Sequence, residues 1–585
     1  MSDLLNQASL VVIPSGYKED TVYSVVPSDG SGDLSFTRAS NGTRINSAGL
    51  VEVCPWNLLQ QSETFDNATW SKSGIAVTAN ASANPLTGLT NADNLVAENV
   101  NNFHYINQAI TFTSDESTIF VYAKANGYTW FVIDTGLSNR FAYFNTTTGV
   151  VGTTGSSSTA TIESVGNGWY KCVLSFTAIA GSSNIYLAVR NADNGGSFTG
   201  NGTGGILVYG AQLNIGSTAK PYFPTTDRLN VPRLTYQNGG GGCPSLLLEK
   251  QSTNLLTYSE DFTNSIWSKV ELTVSGNSTT SPDGTQNADK LIPTTANSFH
   301  YTDTSSASVS SNALASVFAK KSGYQRFAIR SYFTGNYAIF DVNSGVVVAT
   351  NGTTATIENY GNGWYRCSLN DTGSASYGYQ IFVMENTSTS PTASYVGNGT
   401  DGLYFWGAQV EASSYPTSYI PTISASATRV KDLGNDDVFG TTYTLDADFC
   451  LFQDFECFDF ANFPVFWSGG NYSISADYRS YMIAYSTTNI TLFGVGEVTT
   501  AQLSAFTFAP NTRYKLAVRR VGSTISWFVN GVKYSNASGT TTTTVKIRSI
   551  SGSSLGGQNV MKLSEAVIFE DATLTDADCI SLTTI

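Results

Sequence analysis

The sequence predicts an all-β fold built from tandem β-sandwich (jelly-roll) domains, and three observations carry that expectation. First, only 13% of the 585 residues are charged, about half the ~25% of an ordinary soluble protein. Polarity comes instead from Ser, Thr, Asn and Gly, with 31 Tyr and 32 Phe. Thr, Tyr, Phe and Val favour strands, and Gly, Asn and Ser favour turns. Second, residues 57–225 and 254–422 are two copies of one unit. Asn57-Leu-Leu matches Asn254-Leu-Leu, Trp70-Ser-Lys matches Trp267-Ser-Lys, and Phe103-His104-Tyr105 matches Phe299-His300-Tyr301. Gly166-Asn-Gly-Trp-Tyr-Lys-Cys172 matches Gly361-Asn-Gly-Trp-Tyr-Arg-Cys367, and Gly210-Ala-Gln matches Gly407-Ala-Gln. The offset stays at 195–197 residues, so the repeat is a whole domain rather than a solenoid period. Third, short alternating runs recur about every 8–12 residues with Gly/Asn turns between them, the spacing of a sandwich.

The chain divides in order. Residues 1–55 form a unique N-terminal segment with turn clusters at Pro14-Ser-Gly and Pro27-Ser-Asp-Gly. Residues 56–226 are the first jelly roll, 227–253 a connector with the Gly239–Gly242 run, and 254–422 the second jelly roll. A hinge at 423–440 leads to a last domain at 441–585. Within the copies, Ile119-Phe-Val-Tyr-Ala-Lys and Ala315-Ser-Val-Phe-Ala-Lys read as equivalent strands, as do Phe141-Ala-Tyr-Phe and Tyr337-Ala-Ile-Phe. In the last domain, Thr524-Ile-Ser-Trp-Phe-Val before Asn530-Gly531 predicts a tight hairpin. Leu574-Thr-Asp-Ala-Asp-Cys-Ile predicts a helical turn capped by Thr575 or Asp576.

The net charge of −14 and pI near 4.6 argue against nucleic acid or an anionic membrane as the main partner. No apolar run approaches the ~20 residues of a membrane span, and Met1-Ser-Asp-Leu-Leu-Asn lacks the basic and apolar regions of a secretory signal. The seven Cys are scattered without a CxxC pair, and Cys172 and Cys367 read as small buried strand residues. No Cys/His cluster suggests zinc and no EF-hand loop is present, so no cofactor is expected beyond a structural Ca²⁺ that the sequence leaves open. The Gly200-x-Gly-x-x-Gly205 and Gly397-x-Gly-x-x-Gly402 matches lie between strands without the helix a dinucleotide needs, and read as turns.

Candidate binding residues follow from the repeat. His104 and His300 are the only histidines, each beside Tyr105 or Tyr301. Such a patch could stack on a sugar ring and hydrogen-bond its hydroxyls; the same triplet also reads as a strand whose alternate residues pack inward. Trp130 in the first copy stands where the second has Arg326. A position free to exchange Trp for Arg is expected to be exposed, which makes Trp130 the first choice for a stacking platform. Asp454-Phe-Glu456 places two acids about 7 Å apart on one strand face, within the span of glycosidase pairs, although a solvated acidic edge or a cation site explains it as well.

Trp-Ser-Lys, Phe-His-Tyr, Gly-Asn-Gly-Trp-Tyr-x-Cys and Gly-Ala-Gln resemble the carbohydrate-binding-module-like jelly rolls of bacteriophage tail and virion proteins. Leu34-Ser-Phe-Thr-Arg-Ala-Ser-Asn-Gly-Thr-Arg-Ile, Pro244-Ser-Leu-Leu-Leu-Glu-Lys-Gln-Ser-Thr-Asn and Thr428-Arg-Val-Lys-Asp resemble the same group. The last domain is similar to concanavalin A-like and laminin-G-like lectin domains through its Phe-Val-Asn-Gly hairpin and its acidic closing turn. The resemblance implies a virion fibre or appendage on the tail or head, joined to other virion proteins through residues 1–55. It further implies a homotrimer that adheres to host-surface glycans without inserting in the membrane. A purely structural spacer and a glycan depolymerase acting through Asp454 and Glu456 are the rival expectations.

Overall fold

The computed structural model describes the chain except for residues 1, 113–115, 305–306, 309–311, 372–375, 378, 434–436, 461–462, 470–480, 497, 540–542, 551–559 and 571–573. The fold is all-β, as the composition requires. The chain separates into two compact units, Pro55–Arg228 and a second made of Met1–Cys54 with Leu229–Ile585.

The first unit is one copy of the repeat, folded as two six-stranded antiparallel sheets. One runs in the order Val150–Thr154, Phe141–Asn145, Trp130–Asp134, Gly181–Arg190, His104–Phe112, Ser71–Ser73. The other runs Ser158–Gly166, Trp169–Thr177, Glu116–Asn126, Gly205–Ile215, Thr90–Ala97, Ile75–Ala83. Strand alternation sends Ile106, Phe131, Leu187 and Val189 of the first sheet inward against Ile119, Val121, Leu174 and Leu213 of the second. Cys172 is in that core, as its position predicts. The second copy repeats the same strand order in both its sheets and has its own core around Trp267, Phe327, Phe340, Ile381 and Phe405.

The last domain packs the large sheet that contains Phe449–Cys457, Thr512–Val521, Thr524–Val529 and Met561–Glu570 against a four-stranded sheet running from Val465–Ser468 to Val498–Leu503. Asn530 and Gly531 adopt φ of 48° and 79°, both left-handed, and close the hairpin that pairs Val529 with Val532. The C-terminal helix Asp576–Thr583 starts at Thr575, whose side chain and Asp578 form a capping box.

The N-terminal segment and the connector are strands of this last domain rather than separate modules. Leu10–Val12 pairs with Ala566–Ile568, and Leu246–Leu248 pairs with Met561–Leu563. Phe449–Cys457 occupies the opposite edge of that strand, so the two short strands lie end to end along one edge. Leu10, Val12, Val22, Leu34 and Phe36 enter the same core as Phe449, Trp467, Leu516 and Trp527. The sequence separates residues 1–55 because their apolar runs are short and unrepeated; the strand they complete lies at the far end of the chain.

A buried ion network ties these pieces together. Asp432 of the hinge receives Arg38 of the N-terminal segment at 2.8 Å and also Arg233 of the connector. Arg233 reaches Glu249 at 2.8 Å, and Arg429 lies 3.5 Å from Glu249 and 3.7 Å from Asp432. Every one of these side chains is at most 2% exposed. Ser418, at the end of the second copy, donates its N–H and hydroxyl to Glu249, each at 2.7 Å.

Candidate functional site

The residues shared by the two copies do structural work, and they do it identically. Asn57 donates Nδ2 to the Ala211 and Phe223 carbonyls and accepts from the Leu59 and Leu213 amides. Asn254 makes the same four bonds with Ala408, Ile420, Leu256 and Val410. Trp70 and Trp267 each donate Nε1 at 3.0 Å to a loop carbonyl, that of Gln61 and Tyr258. Lys72 and Lys269 tie down the turn that precedes their own strand. Gln212 and Gln409 accept from the Phe223 and Ile420 amides.

The histidines belong to this set. His104 and His300 are fully buried. His104 Nδ1 meets the Gly74 carbonyl and its Nε2 lies 3.0 Å from the Phe198 carbonyl. His300 repeats the arrangement with Glu271 and with Tyr395 at 3.1 Å. Each ring therefore lies between two strand ends, with both nitrogens turned to main-chain carbonyls. Because a leucine cannot satisfy either carbonyl, His300→Leu is expected to cost about 1–3 kcal/mol of stability. A urea titration of the full chain checks this through the unit that contains the second copy.

The outward residues of the first sheet are where the copies differ. In copy one, Tyr105, Ala188, Val132 and Tyr143 lie opposite one another across four strands. Trp130 faces Arg190 in the row on one side of these, and Asp134 faces Tyr186 in the row on the other side. Tyr105, Trp130, Tyr143 and Tyr186 are all half-buried, so part of each ring is open to solvent. Tyr105 and Tyr186 meet edge to face at 5.1 Å. Trp130 lies over Gly152, where a Cβ would come within 2.6 Å of the indole ring; the glycine lets the ring lie close to the strand. Arg190 is 8% exposed and donates Nη1 to the Val189 carbonyl at 2.9 Å beneath the exposed Phe103 ring. Burial holds its guanidinium below the ordinary value, with Tyr143 and Asp134 acting in the opposite direction.

Copy two has filled the same face with apolar side chains. Met384 stands in the register position of Arg190, and with Ala328, Ile339 and Phe382 it forms a buried cluster. Tyr301 stacks on Phe382 at 4.7 Å and Phe299 on Tyr301 at 5.9 Å, so the rings of that face pack on one another. Arg326, in the place of Trp130, is held by Asp341 at 3.4 Å and by the Ser388 carbonyl at 3.1 Å. The structure thus brings Trp130 and Tyr105 onto one surface, buries His104 and His300, and leaves Arg326 part-exposed but tied to Asp341 and the Ser388 carbonyl. Sequence reasoning missed Tyr143, Tyr186 and Arg190. The signal was present in the alternation of Phe141-Ala-Tyr-Phe and Ile185-Tyr-Leu-Ala-Val-Arg, but the register joining those strands was not.

The two acids of the catalytic reading are both ion-paired. Arg513 clamps Asp454 through Nε at 2.7 Å and Nη2 at 2.5 Å, and Lys562 reaches Glu456 at 3.0 Å. Burial raises neighbouring Glu565, with the Asp454 charge adding to the effect. Among the described residues, no group of three or more His, Cys, Asp or Glu is placed to hold a metal ion. No helix among them is long and apolar enough to cross a membrane.

No known family model and no curated protein matches the chain. Among solved structures, it is similar to Trypanosoma rangeli sialidase at 11% identity, covering 88% of this chain and 98% of that one with a TM-score of 0.19. The same sialidase bound to a difluorinated 2-keto-3-deoxynononic acid gives 11% identity, the same coverage and a TM-score of 0.19. Overlaps this poor carry no argument about fold or activity.

Proposed function

We propose that this chain is a surface protein of a bacteriophage particle, a fibre or appendage that adheres to host-surface glycans through the outward sheet face of its first jelly roll. The observation that carries the reading is the cluster of half-exposed Trp130, Tyr105, Tyr143 and Tyr186 around Arg190, on a face that the sister copy fills with Met384, Phe382 and Ile339. Two copies of one scaffold share the residues that hold them together, so the positions where they diverge report what each copy is for. Aromatic rings match the C–H faces of a pyranose, while phenol hydroxyls match its oxygens. A single sugar contact of this kind is weak, and a trimeric appendage multiplies it by making later contacts intramolecular.

Trp130→Ala is expected to weaken glycan binding at least tenfold, about 1.4 kcal/mol, with the fold intact because the ring sits on the surface of its sheet. Probing a glycan array with wild-type and Trp130→Ala protein, followed by titration of the best ligand, tests this. A blank array with the wild-type chain would remove the adhesion reading and leave that of a structural spacer.

A further inference from the structure

A cleft of about 390 Å³ opens within the unit formed by residues 1–54 and 229–585, a volume inside the roughly 300–1,000 Å³ range of small-molecule sites. Four stretches distant in sequence wall it: the hairpin of Gly42–Ile45 and Val51–Cys54 at Arg44, the connector at Asn238, the second copy at Glu358 and Tyr360, and the last domain at Phe458 and Lys562. We infer that this cleft is a second, independent binding site, for a neutral hydroxyl-rich ring ligand of the mono- to trisaccharide class.

The cleft is preformed. Glu249 lines it and is held by Arg233 and by Ser418, which also lines the cleft. Arg44 is fixed by Glu52 at 2.9 Å. Walls held in this way cost little ordering on binding.

Its charges are balanced across the cavity. Lys562 pairs with Glu456, and Glu358 accepts from Asn238 at 3.3 Å in a cavity that Arg366 also lines. A polyanion or polycation meets as much repulsion as attraction there. A purely apolar ligand would strip water from carboxylates and cations without replacing its hydrogen bonds. A neutral polyol avoids both costs, since each hydroxyl both donates and accepts. The half-buried Tyr360 offers a ring for its C–H edges, and Phe458, with the Lys562 ammonium over its ring at 5.7 Å, offers its ring edge. Tyr360 is braced edge-on by Phe318 at 4.9 Å, and Phe458 stacks on Tyr415 at 5.3 Å.

Saturation-transfer NMR on the full-length Trp130→Ala chain, with maltotriose, cellotriose and chitotriose as probes, tests the assignment with the first-copy face disabled. At least one trisaccharide should receive saturation, and its affinity should fall tenfold or more in Trp130→Ala/Phe458→Ala and in Trp130→Ala/Glu358→Gln. The glutamine variant keeps the side-chain shape and guards against misfolding. Saturation of none of the three, or equal saturation in both double variants, overturns the inference. Neither result touches the adhesion reading, which is tested by Trp130→Ala against wild type.

Discussion

Asp432→Ala is expected to destabilise the unit formed by residues 1–54 and 229–585 by about 3–5 kcal/mol, because it removes the carboxylate shared by the buried guanidinium groups of Arg38, Arg233 and Arg429. Arg38 and Arg233 are both 0% exposed at the side chain and both bind Asp432. Without it, Arg38 loses the carboxylate it binds, and Arg233 is left with Glu249, the Thr43 carbonyl and the Ser418 hydroxyl. The coulombic attraction of such a pair only just offsets desolvation, so the cost arises mainly from the charge left behind. Arg38→Met in the same background should therefore recover part of the loss, and a double-mutant cycle in urea measures the coupling. An Asp432→Ala chain within 1 kcal/mol of wild type would show that the network does not hold these segments.

The same network sets the acid limit. The Arg429 and Arg233 charges and the Ser418 bonds hold Glu249 at about 2 against an ordinary 4.5, overcoming its burial, and Asp432 is also lowered by its three arginines. A carboxylate depressed in the folded state contributes its stability above the unfolded value and loses it as pH falls toward the folded one. The loss should thus run from about pH 4.5 down to about 2. Asp289 acts in the opposite sense: burial raises it to about 6 although the Phe262 and Asn277 amides donate to it. It binds its proton more tightly when folded, so stability should rise slightly as pH falls from about 6 toward 4 before the acid loss sets in. Denaturation midpoints between pH 7 and 2 would show the shallow rise and then the fall.

The all-β class, the two-sheet plan of each copy, the Asn530-Gly531 hairpin and the Thr575 cap were legible in the sequence because each rests on local alternation or turn chemistry. The same alternation placed Cys172 and Cys367 inside. It could not say that the strand at Leu10–Val12 pairs with a strand at Ala566–Ile568, at the other end of the chain, since nothing local encodes that pairing. Charge gave a partial signal: Arg38, Arg233, Glu249, Arg429 and Asp432 are rare charges in a chain poor in them. Their convergence on one buried point is a long-range fact. At the candidate site, Trp130 was found by comparing copies, whereas Arg190 escaped because its counterpart Met384 becomes visible only once the Trp130 and Arg326 strands are paired.

A chain that begins at residue 55 is expected to lose the cooperative unfolding of the last domain altogether, while residues 55–228 made alone fold and melt as one unit. Truncation removes Leu10, Val12, Val22, Leu34 and Phe36, all fully buried in the core of that domain. At about 1.5–3 kcal/mol for each buried side chain, the lost burial comes to roughly 10 kcal/mol, comparable with the whole stability of an ordinary domain. It also exposes the edge of Ala566–Ile568, ready to pair with another chain, and takes Arg38 from Asp432. The first copy, by contrast, keeps both its sheets and its core within Pro55–Arg228. Calorimetry of the full chain, the truncated chain and the isolated copy separates the cases. If the truncated chain keeps every transition of the full chain at unchanged midpoints, the N-terminal strand is an ornament on a domain that stands without it.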